Sequence, residues 1–213
     1  MKQSLRDSMC LYVVTDRSWL NGRSLESVTE DILDNGATFL QLREKNLDDA
    51  KFLEEAMALS GLAKKKEIPF VVNDRVDIAL KCNADGVHLG QKDIVNRDVR
   101  KEIGADKLLG ISVDSVESAL AAQEAGADYL GAGTIFATNT KADAELITLE
   151  TLRDICRAVT IPVVVIGGIN EETIGRLEGT GIDGVAVISV LYGAKDIKKA
   201  TQNMKKLAQS VVE

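Results

Sequence analysis

The chain has 213 residues, of which 45% are hydrophobic and 4% aromatic, and its formal net charge is -7 at pH 7. This length and apolar content predict one buried core and a single domain over residues 1–213. The acidic balance argues against nucleic acid as a partner, because nucleic-acid binding needs a basic surface. No stretch reaches the roughly 18 apolar residues of a membrane helix, so we expect no membrane partner. A small anionic ligand stays compatible with this composition, because a few clustered cations suffice to bind one.

The amino terminus and the cysteines both indicate a cytoplasmic protein. Residues 1–8 are polar and contain no apolar region of the signal-peptide kind. Cys10, Cys82 and Cys156 are odd in number, widely spaced and not part of a CxxC pair. This pattern predicts reduced, buried thiols.

Short apolar runs alternate with stretches of helical period along the whole chain. The predicted strands are 10–15, 38–42, 70–73, 86–89, 108–112, 129–131, 163–166 and 184–188. Helical stretches between them include 47–66, 115–124 and 171–177. Strands joined by helical crossovers predict parallel pairing, and at this length a single (β/α)8 TIM barrel of the α/β class is favoured. A doubly wound open sheet is the alternative, although the GxGxxG that usually follows its first strand is absent.

Three pairs of similar segments support a barrel made of two halves. They lie 90, 93 and 98 residues apart, which is about half of the chain. The pairs are 35–37 with 125–127, 68–72 with 161–165, and 84–87 with 182–185. In such barrels the reactive side chains lie at the carboxyl ends of the strands. Asp85, Asp128 and Asp183 come at strand starts and are therefore predicted to be structural.

Gln41, Arg43 and Lys45 lie at alternate positions where the second predicted strand ends. In an extended segment these three side chains point to one face, while Leu42 and Glu44 point to the other. An amide followed by two cations suits a diphosphate that is attached to a polar ring. A solvated strand end is the alternative.

Two carboxylates follow neighbouring strands. Asp74, after Asn73, follows the third strand, and Asp93 follows the fourth. Together they could share one Mg²⁺, which prefers a few carboxylates plus phosphate oxygens and water. Each alone could instead cap the helix that follows it. Ser112, at the end of the fifth strand, could either donate to a phosphate oxygen or cap the helix that follows.

The connection 131–148 is long enough to indicate a functional loop. Within it, Thr138, Thr140 and Lys141 are candidate anion ligands that would close over the bound molecule. A flexible polar loop is the alternative for this segment. His88, the single histidine, lies within the fourth strand and is predicted to be a hydrogen-bonded lining residue and not a catalytic base.

Gly167 and Gly168 follow the seventh strand, and Ser189 follows the eighth. Loops after these two strands form the usual phosphate site of this fold, and glycines let backbone N–H groups approach a phosphate closely. The sequence therefore predicts a second anion site at this side of the barrel.

These motifs, in this order, resemble the thiamine-phosphate synthase family over nearly the whole chain. The matching segments are Gln-x-Arg-x-Lys at 41–45, Val-Asn-Asp at 72–74, Asp-Gly-Val-His-Leu-Gly-Gln-x-Asp at 85–93, Gly-Ile-Ser at 110–112, Thr-x-Thr-Lys at 138–141, Gly-Gly-Ile at 167–169 and Ile-Ser at 188–189. The resemblance implies an enzyme that joins hydroxymethylpyrimidine diphosphate to hydroxyethylthiazole phosphate. The products would be thiamine phosphate and pyrophosphate.

The resemblance also implies roles for individual residues. The pyrimidine diphosphate would be bound by Gln41, Arg43, Lys45, Asn73, Ser112 and Lys141. Asp74 and Asp93 would hold Mg²⁺. The thiazole phosphate would be bound by Thr138, Thr140, Gly168, Ile188 and Ser189. The catalytic groups would be Arg43, Lys45, Ser112 and Lys141.

The chain departs from the family at Thr134 and Ala137, where many members have proline. Without those prolines we expect a less pre-ordered loop, with effects on loop kinetics or thiazole affinity. The alternative functions are a thiazole tautomerase-like paralogue, a non-catalytic thiamine-precursor sensor and a phosphate-sugar isomerase. Asp16 and Arg17 are assigned no role, and a homodimer through the barrel helices stays open.

Overall fold

Eight parallel strands close into a barrel in chain order, which confirms the predicted TIM barrel. The computed structural model describes residues 4–94, 97–138 and 145–212. The strands are β1 Leu11–Val14, β2 Phe39–Leu42, β3 Phe70–Asn73, β4 Gly86–Leu89, β5 Leu108–Val113, β6 Tyr129–Gly133, β7 Val163–Ile166 and β8 Gly184–Val187. Their ends differ from the predicted ones by at most two residues.

Helices surround the barrel and connect its strands. They are α1 Leu5–Ser8, α2 Leu25–Asp34, α3 Asp49–Lys65, α4 Val76–Lys81, α5 Val99–Ile103, α6 Val116–Glu124, α7 Leu149–Ala158, α8 Ser189–Tyr192 and α9 Ile197–Val211. Short 3₁₀ turns lie at Arg17–Trp19, Gln91–Asp93 and Ile174–Leu177. The predicted helices 47–66 and 115–124 correspond to α3 and α6.

The prediction of a helix over 171–177 is wrong, because the structure has only the 3₁₀ turn Ile174–Leu177 there. Local side-chain bonds explain the difference. The Asn170 side chain accepts the backbone N–H groups of Glu172 and Thr173, and the Thr173 hydroxyl donates to the Gly168 carbonyl. Such bonds hold the backbone in a turn and compete with helical hydrogen bonds.

Apolar side chains fill two layers, one inside the barrel and one between the barrel and its helices. The inner cluster is formed by Met9, Tyr12, Val14, Phe39, Val71, Tyr129, Val164 and Ala186. The outer cluster joins alternate strand residues such as Val13 and Leu40 to helix residues such as Leu59. Burial on both faces explains why the strands read as continuous apolar runs.

One polar residue before each even-numbered strand holds the start of the strand that precedes it. The side-chain oxygens of Asp85, Asp128 and Asp183 each accept a backbone N–H at 2.8 Å, from Phe70, Leu109 and Val163 respectively. Thr38 accepts the N–H of Leu11 in the same way at 2.9 Å. The structural role predicted for the three aspartates is thus confirmed, and the recurrence agrees with the two-half pattern of the sequence.

The cysteines are free thiols, as predicted. Cys10 and Cys82 are buried, and Cys156 is half-buried. Burial raises the pKa of the Cys156 thiol to about 12, so the thiol stays protonated near neutral pH. Within the described ranges no helix is long and apolar enough to span a membrane.

Candidate active site

A cavity of about 1000 Å³ opens at the carboxyl ends of the strands. Its volume lies at the upper end of the roughly 300–1,000 Å³ that is typical of small-molecule sites. Predicted site residues that line it are Gln41, Arg43, Lys45, Asn73, Asp74, Asp93, Ser112, Thr138, Gly168, Ile188 and Ser189. The predicted residues Thr140 and Lys141 lie outside the described residues.

At the end of β2, successive side chains alternate between the cavity and the opposite face, as the sequence indicated. Gln41, Arg43 and Lys45 line the cavity. On the other face, Leu42 packs in the outer core and Glu44 forms an ion pair with Arg17. Buried Thr15 holds the backbone at the middle of this segment. Its hydroxyl oxygen accepts the Arg43 N–H at 2.9 Å and lies 3.3 Å from the Arg43 carbonyl oxygen, to which it donates. The Arg43 side chain therefore starts from a fixed point on the barrel rim.

The cations of this segment have no carboxylate partner among the residues that the structure describes. Neither Arg43 nor Lys45 forms an ion pair there, although ion pairs hold many other arginines of the chain. The paired arginines include Arg17, Arg23, Arg75, Arg97 and Arg100. Half-buried Arg43 and exposed Lys45 both line the cavity without an ion pair to any described residue. They therefore favour an anionic ligand, to which each cation can donate charge-assisted hydrogen bonds.

Asp74 lies directly after β3 in a left-handed backbone conformation, with φ at +62°. Such a conformation is costly for a residue other than glycine and is often found at functional sites. Asp74 does not cap α4, because that helix has Arg75 at its N-cap and no side-chain cap bond. The turn is held by the Asp74 N–H, which donates to the His88 carbonyl at 2.9 Å.

Asp93 closes the 3₁₀ turn after β4. Its Oδ2 atom accepts the Gly90 N–H at 3.0 Å, while α5 is capped by Asp98 and not by Asp93. Among the described residues, no hydrogen bond or ion pair engages the second carboxylate oxygen of Asp93. Asp74 and Asp93 both line the cavity, and two hard oxygen donors from adjacent strand ends fit a cation such as Mg²⁺ that takes its other ligands from phosphate and water.

Ser112 and His88 are joined within the barrel. His88 Nε2 lies 3.0 Å from Ser112 Oγ, and His88 Nδ1 lies 3.1 Å from the Tyr129 hydroxyl. The prediction of a hydrogen-bonded lining histidine is thus confirmed. Ser112 does not cap α6, since Ser115 does so. The helix-cap alternative for Ser112 is therefore excluded.

The loops after β6 and β7 pack tightly against each other. Gly168 has φ at +59°, and a Cβ atom there would lie 2.5 Å from the Ala137 carbonyl oxygen. A Cβ atom at Gly167, where φ is +113°, would lie 2.3 Å from Thr134 Cγ2. Both glycines are thus required by loop packing as well as by any close approach to a phosphate.

Thr134, at one of the positions where the family often has proline, is buried and held at its carbonyl. The Ile147 N–H donates to the Thr134 carbonyl at 2.9 Å, and the neighbouring Ile135 N–H donates to the Ile166 carbonyl at 3.0 Å. The peptide bond between Gly133 and Thr134 is cis. Backbone bonds therefore anchor the start of the loop to β7 in this chain.

Arg17, to which the sequence pattern assigned no role, pairs with two glutamates beside the cavity. Arg17 Nη2 contacts Glu55 Oε1 at 2.6 Å, and Arg17 Nε contacts Glu44 Oε1 at 3.2 Å. Burial raises the pKa of Glu55 above its ordinary value. Because Glu44 stands between Arg43 and Lys45, Arg17 holds the segment that presents both cations. The predicted orientation of Glu44, away from the face of Arg43 and Lys45, indicated that a cation would pair with it on the other side of the segment.

We expect Arg17→Met to lower kcat/KM by about tenfold, the cost of one lost charge-assisted contact. Glu44 and Glu55 would lose their common partner, and Arg43 and Lys45 would lose a fixed geometry. Steady-state kinetics with each substrate varied in turn would measure this effect. Arg23→Met is the matched control, since Arg23 pairs with Asp31 on the exposed side of α2. Equal activities of the two variants would contradict the positioning role of Arg17.

Comparison with known proteins points to one family. A family model described as thiamine monophosphate synthase matches residues 11–191. A protein of Clostridium tetani named thiamine-phosphate synthase is 52% identical over 91% of this chain and 93% of its own length. A protein of Clostridioides difficile with the same name is 47% identical over 94% of this chain and 96% of its own.

A solved structure agrees with these relatives. The thiamine phosphate pyrophosphorylase from Pyrococcus furiosus superposes with a TM-score of 0.89 and is 43% identical. The match covers 99% of this chain and all of the other one. The likeness thus extends over the whole barrel, including the strand ends that form the cavity.

Proposed function

The chain belongs to the thiamine monophosphate synthase family, and we propose that its cavity binds the two substrates at opposite sides of the barrel mouth. It is a transferase that forms thiamine phosphate from small-molecule substrates. Synthases of this family use a metal ion to assist the pyrophosphate leaving group.

The observation that carries the proposal is that Arg43 and Lys45, which form no ion pair with any described residue, share one cavity with Asp74 and Asp93. Two cations beside two carboxylates suit a diphosphate with a bound divalent cation. We assign the pyrimidine diphosphate to Gln41, Arg43, Lys45, Asn73, Ser112 and Lys141. We assign Mg²⁺ to Asp74 and Asp93. We assign the thiazole phosphate to Thr138, Thr140, Gly168, Ile188 and Ser189.

The proposed mechanism is dissociative. The bond between the pyrimidine methylene carbon and the diphosphate oxygen breaks first, and its electron pair leaves with the diphosphate. The amino group of the ring donates into the resulting pyrimidinylmethyl cation, which the thiazole nitrogen then attacks to form the new C–N bond. Arg43, Lys45, Lys141 and Ser112 stabilise the charge that grows on the departing pyrophosphate. Mg²⁺, when bound, would neutralise part of the same charge.

This mechanism needs neither an enzyme nucleophile nor a strong base. Its demands are charge stabilisation and alignment of the thiazole nitrogen with the methylene carbon. His88, the one histidine, bonds at both ring nitrogens to neighbouring side chains, which agrees with a lining role. We also propose a cytoplasmic location, no nucleic-acid or membrane partner, and a homodimer through the barrel helices.

The test is an end-point assay with both substrates and Mg²⁺, with EDTA as the control, that follows thiamine phosphate and pyrophosphate. We expect both products in equal amounts and only with the metal. A folded protein that binds thiazole phosphate but forms no product would favour a tautomerase-like enzyme or a sensor. Product that forms equally with EDTA would contradict the metal assignment while leaving the synthase function in place.

A further inference from the structure

A chain of hydrogen bonds crosses the barrel interior and joins two residues assigned to the same substrate. Gln41 Nε2 lies 2.7 Å from the Tyr12 hydroxyl, which lies 2.9 Å from the Tyr129 hydroxyl. The Tyr129 hydroxyl lies 3.1 Å from His88 Nδ1, and His88 Nε2 lies 3.0 Å from Ser112 Oγ. We call these five side chains the interior relay. Both of its ends line the cavity.

The barrel interior buries the two tyrosines at the centre of the interior relay, although all five of its side chains line the cavity. Tyr12 is 2% exposed and Tyr129 is fully buried. A Cβ atom at Gly110 would lie 2.2 Å from the Tyr129 ring and 2.5 Å from His88 Nδ1. A Cβ atom at Gly131 would lie 2.9 Å from His88 Cε1. Glycine at these two positions therefore leaves the space that the tyrosine and the histidine occupy.

Each hydrogen bond of the relay needs one proton, and the two phenols and a neutral imidazole carry only one such proton each. Burial raises the pKa of both Tyr12 and Tyr129, so each phenol keeps one proton to donate. A neutral histidine has one N–H group and one acceptor nitrogen. With a neutral histidine, every link is filled and both buried phenol protons find an acceptor within the relay only when all donors point in the same direction along it.

Two directions are then available. In the first, the Gln41 amide N–H donates to Tyr12, Tyr12 to Tyr129, Tyr129 to His88 Nδ1, and His88 Nε2–H to Ser112. The Ser112 proton is then left to donate into the cavity, and the Gln41 carbonyl oxygen is left to accept. In the second, the Gln41 amide is turned so that its carbonyl oxygen accepts from Tyr12, and the other donors are reversed. Ser112 then donates to His88 and offers the cavity only acceptor lone pairs.

We propose that Tyr12 and Tyr129 are positioning residues that hold the relay in the first direction, with His88 as its Nε2–H tautomer. The inference rests on the proposed function, which places a pyrimidine diphosphate against Gln41 and Ser112. A diphosphate offers only acceptors, so Ser112 must donate to it. The exocyclic amino group of the ring is a donor, so Gln41 must accept from it. The first direction meets both demands at once and couples recognition of the ring to contact with the leaving group.

The single histidine and the single tryptophan of the chain allow a direct test. Protein labelled with ¹⁵N-histidine gives the tautomer of His88 by NMR, and Trp19, which lines the cavity, reports ligand binding by fluorescence. With pyrimidine diphosphate bound and no thiazole present, we expect the Nε2–H tautomer. An Nδ1–H tautomer, an imidazolium or a mixture in the bound protein would overturn the proposal. Absence of any binding would instead count against the proposed function.

Substitutions test whether the tyrosines act through Ser112. We expect Tyr129→Phe to lower kcat by about tenfold, the value of one or two buried hydrogen bonds, and to leave the KM for thiazole phosphate unchanged. In the Ser112→Ala background the same change should have no further effect on kcat. Additive losses, or an unchanged His88 spectrum in Tyr129→Phe, would overturn the proposal.

Tyr192→Phe is the matched control. Tyr192 is also buried, and its hydroxyl bonds to Thr29 at 2.7 Å outside the cavity lining. It should lose thermal stability as Tyr129→Phe does but keep kcat. A stability loss without a kcat loss in both variants would mean that the Tyr129 hydroxyl is merely structural, which contradicts the proposal.

Discussion

Replacing Arg43 by alanine should lower kcat by about a hundredfold, the usual cost of one electrostatic contact that is made to the transition state. The guanidinium is expected to gain most of its interaction as negative charge accumulates on the departing pyrophosphate. It lines the cavity without a carboxylate partner in the described part of the chain, and its backbone is fixed by Thr15. The KM for thiazole phosphate should change little, because that substrate is assigned to the opposite side of the mouth.

Two companion variants sharpen the Arg43 test. Arg43→Lys keeps the charge but loses the planar fork that contacts two oxygens together, so its kcat should lie between those of alanine and arginine. Arg157→Ala removes an exposed arginine from the outer face of α7, where it pairs with Asp154, and should leave kcat unchanged. If steady-state kinetics show that Arg43→Ala has the same kcat as the parent, the assignment of Arg43 is refuted.

Replacing Asp93 by asparagine should raise the Mg²⁺ concentration at half-maximal rate by about tenfold or more, since loss of even an outer-shell partner costs about 10–100-fold in metal affinity. The reason lies in the turn after β4. The Gly90 N–H already uses one carboxylate oxygen of Asp93. An asparagine has a single acceptor oxygen, so keeping that bond would turn its NH₂ group toward the cation.

The control for the metal test is Asp98→Asn. It removes the same charge nearby, and asparagine caps a helix as well as aspartate does, so α5 should keep its start. The measurement is a Mg²⁺ titration of the initial rate, with saturating substrates, for the parent and both variants. If Asp93→Asn needs no more Mg²⁺ than Asp98→Asn, Asp93 is not a metal ligand.

Predictions from the local sequence pattern agree with the structure at positions where near neighbours in the chain decide the conformation. The alternation of Gln41, Arg43 and Lys45 follows from the two-residue period of an extended segment, and the cavity lining agrees with it. The structural role of Asp85 followed from its position before a strand, and its bond to the Phe70 N–H agrees with that role. Both inferences depend only on near neighbours in the chain and on the common direction of parallel strands.

Local pattern failed where bonds between distant or competing groups decide the conformation. The side chains of Asn170 and Thr173 replace a predicted helix by a turn, because their bonds to nearby backbone groups compete with the helical ones. Arg17, in the 3₁₀ turn after β1, joins Glu44 after β2 to Glu55 in α3. Neither outcome can be obtained from hydrophobic periodicity, which reports burial and not the partners of polar groups.

The sequence by itself determined the barrel, the side of the barrel that carries the chemistry and the family, because strand period, strand direction and motif order are all encoded locally. Only the tertiary structure decided which polar groups meet. Tyr12 and Tyr129 are 117 residues apart, yet their hydroxyls bond inside the barrel. Closing the sheet brings alternate residues of opposite strands into one narrow interior, where each buried polar group must find a partner. That requirement links Gln41 to Ser112, and no pattern along the chain contains it.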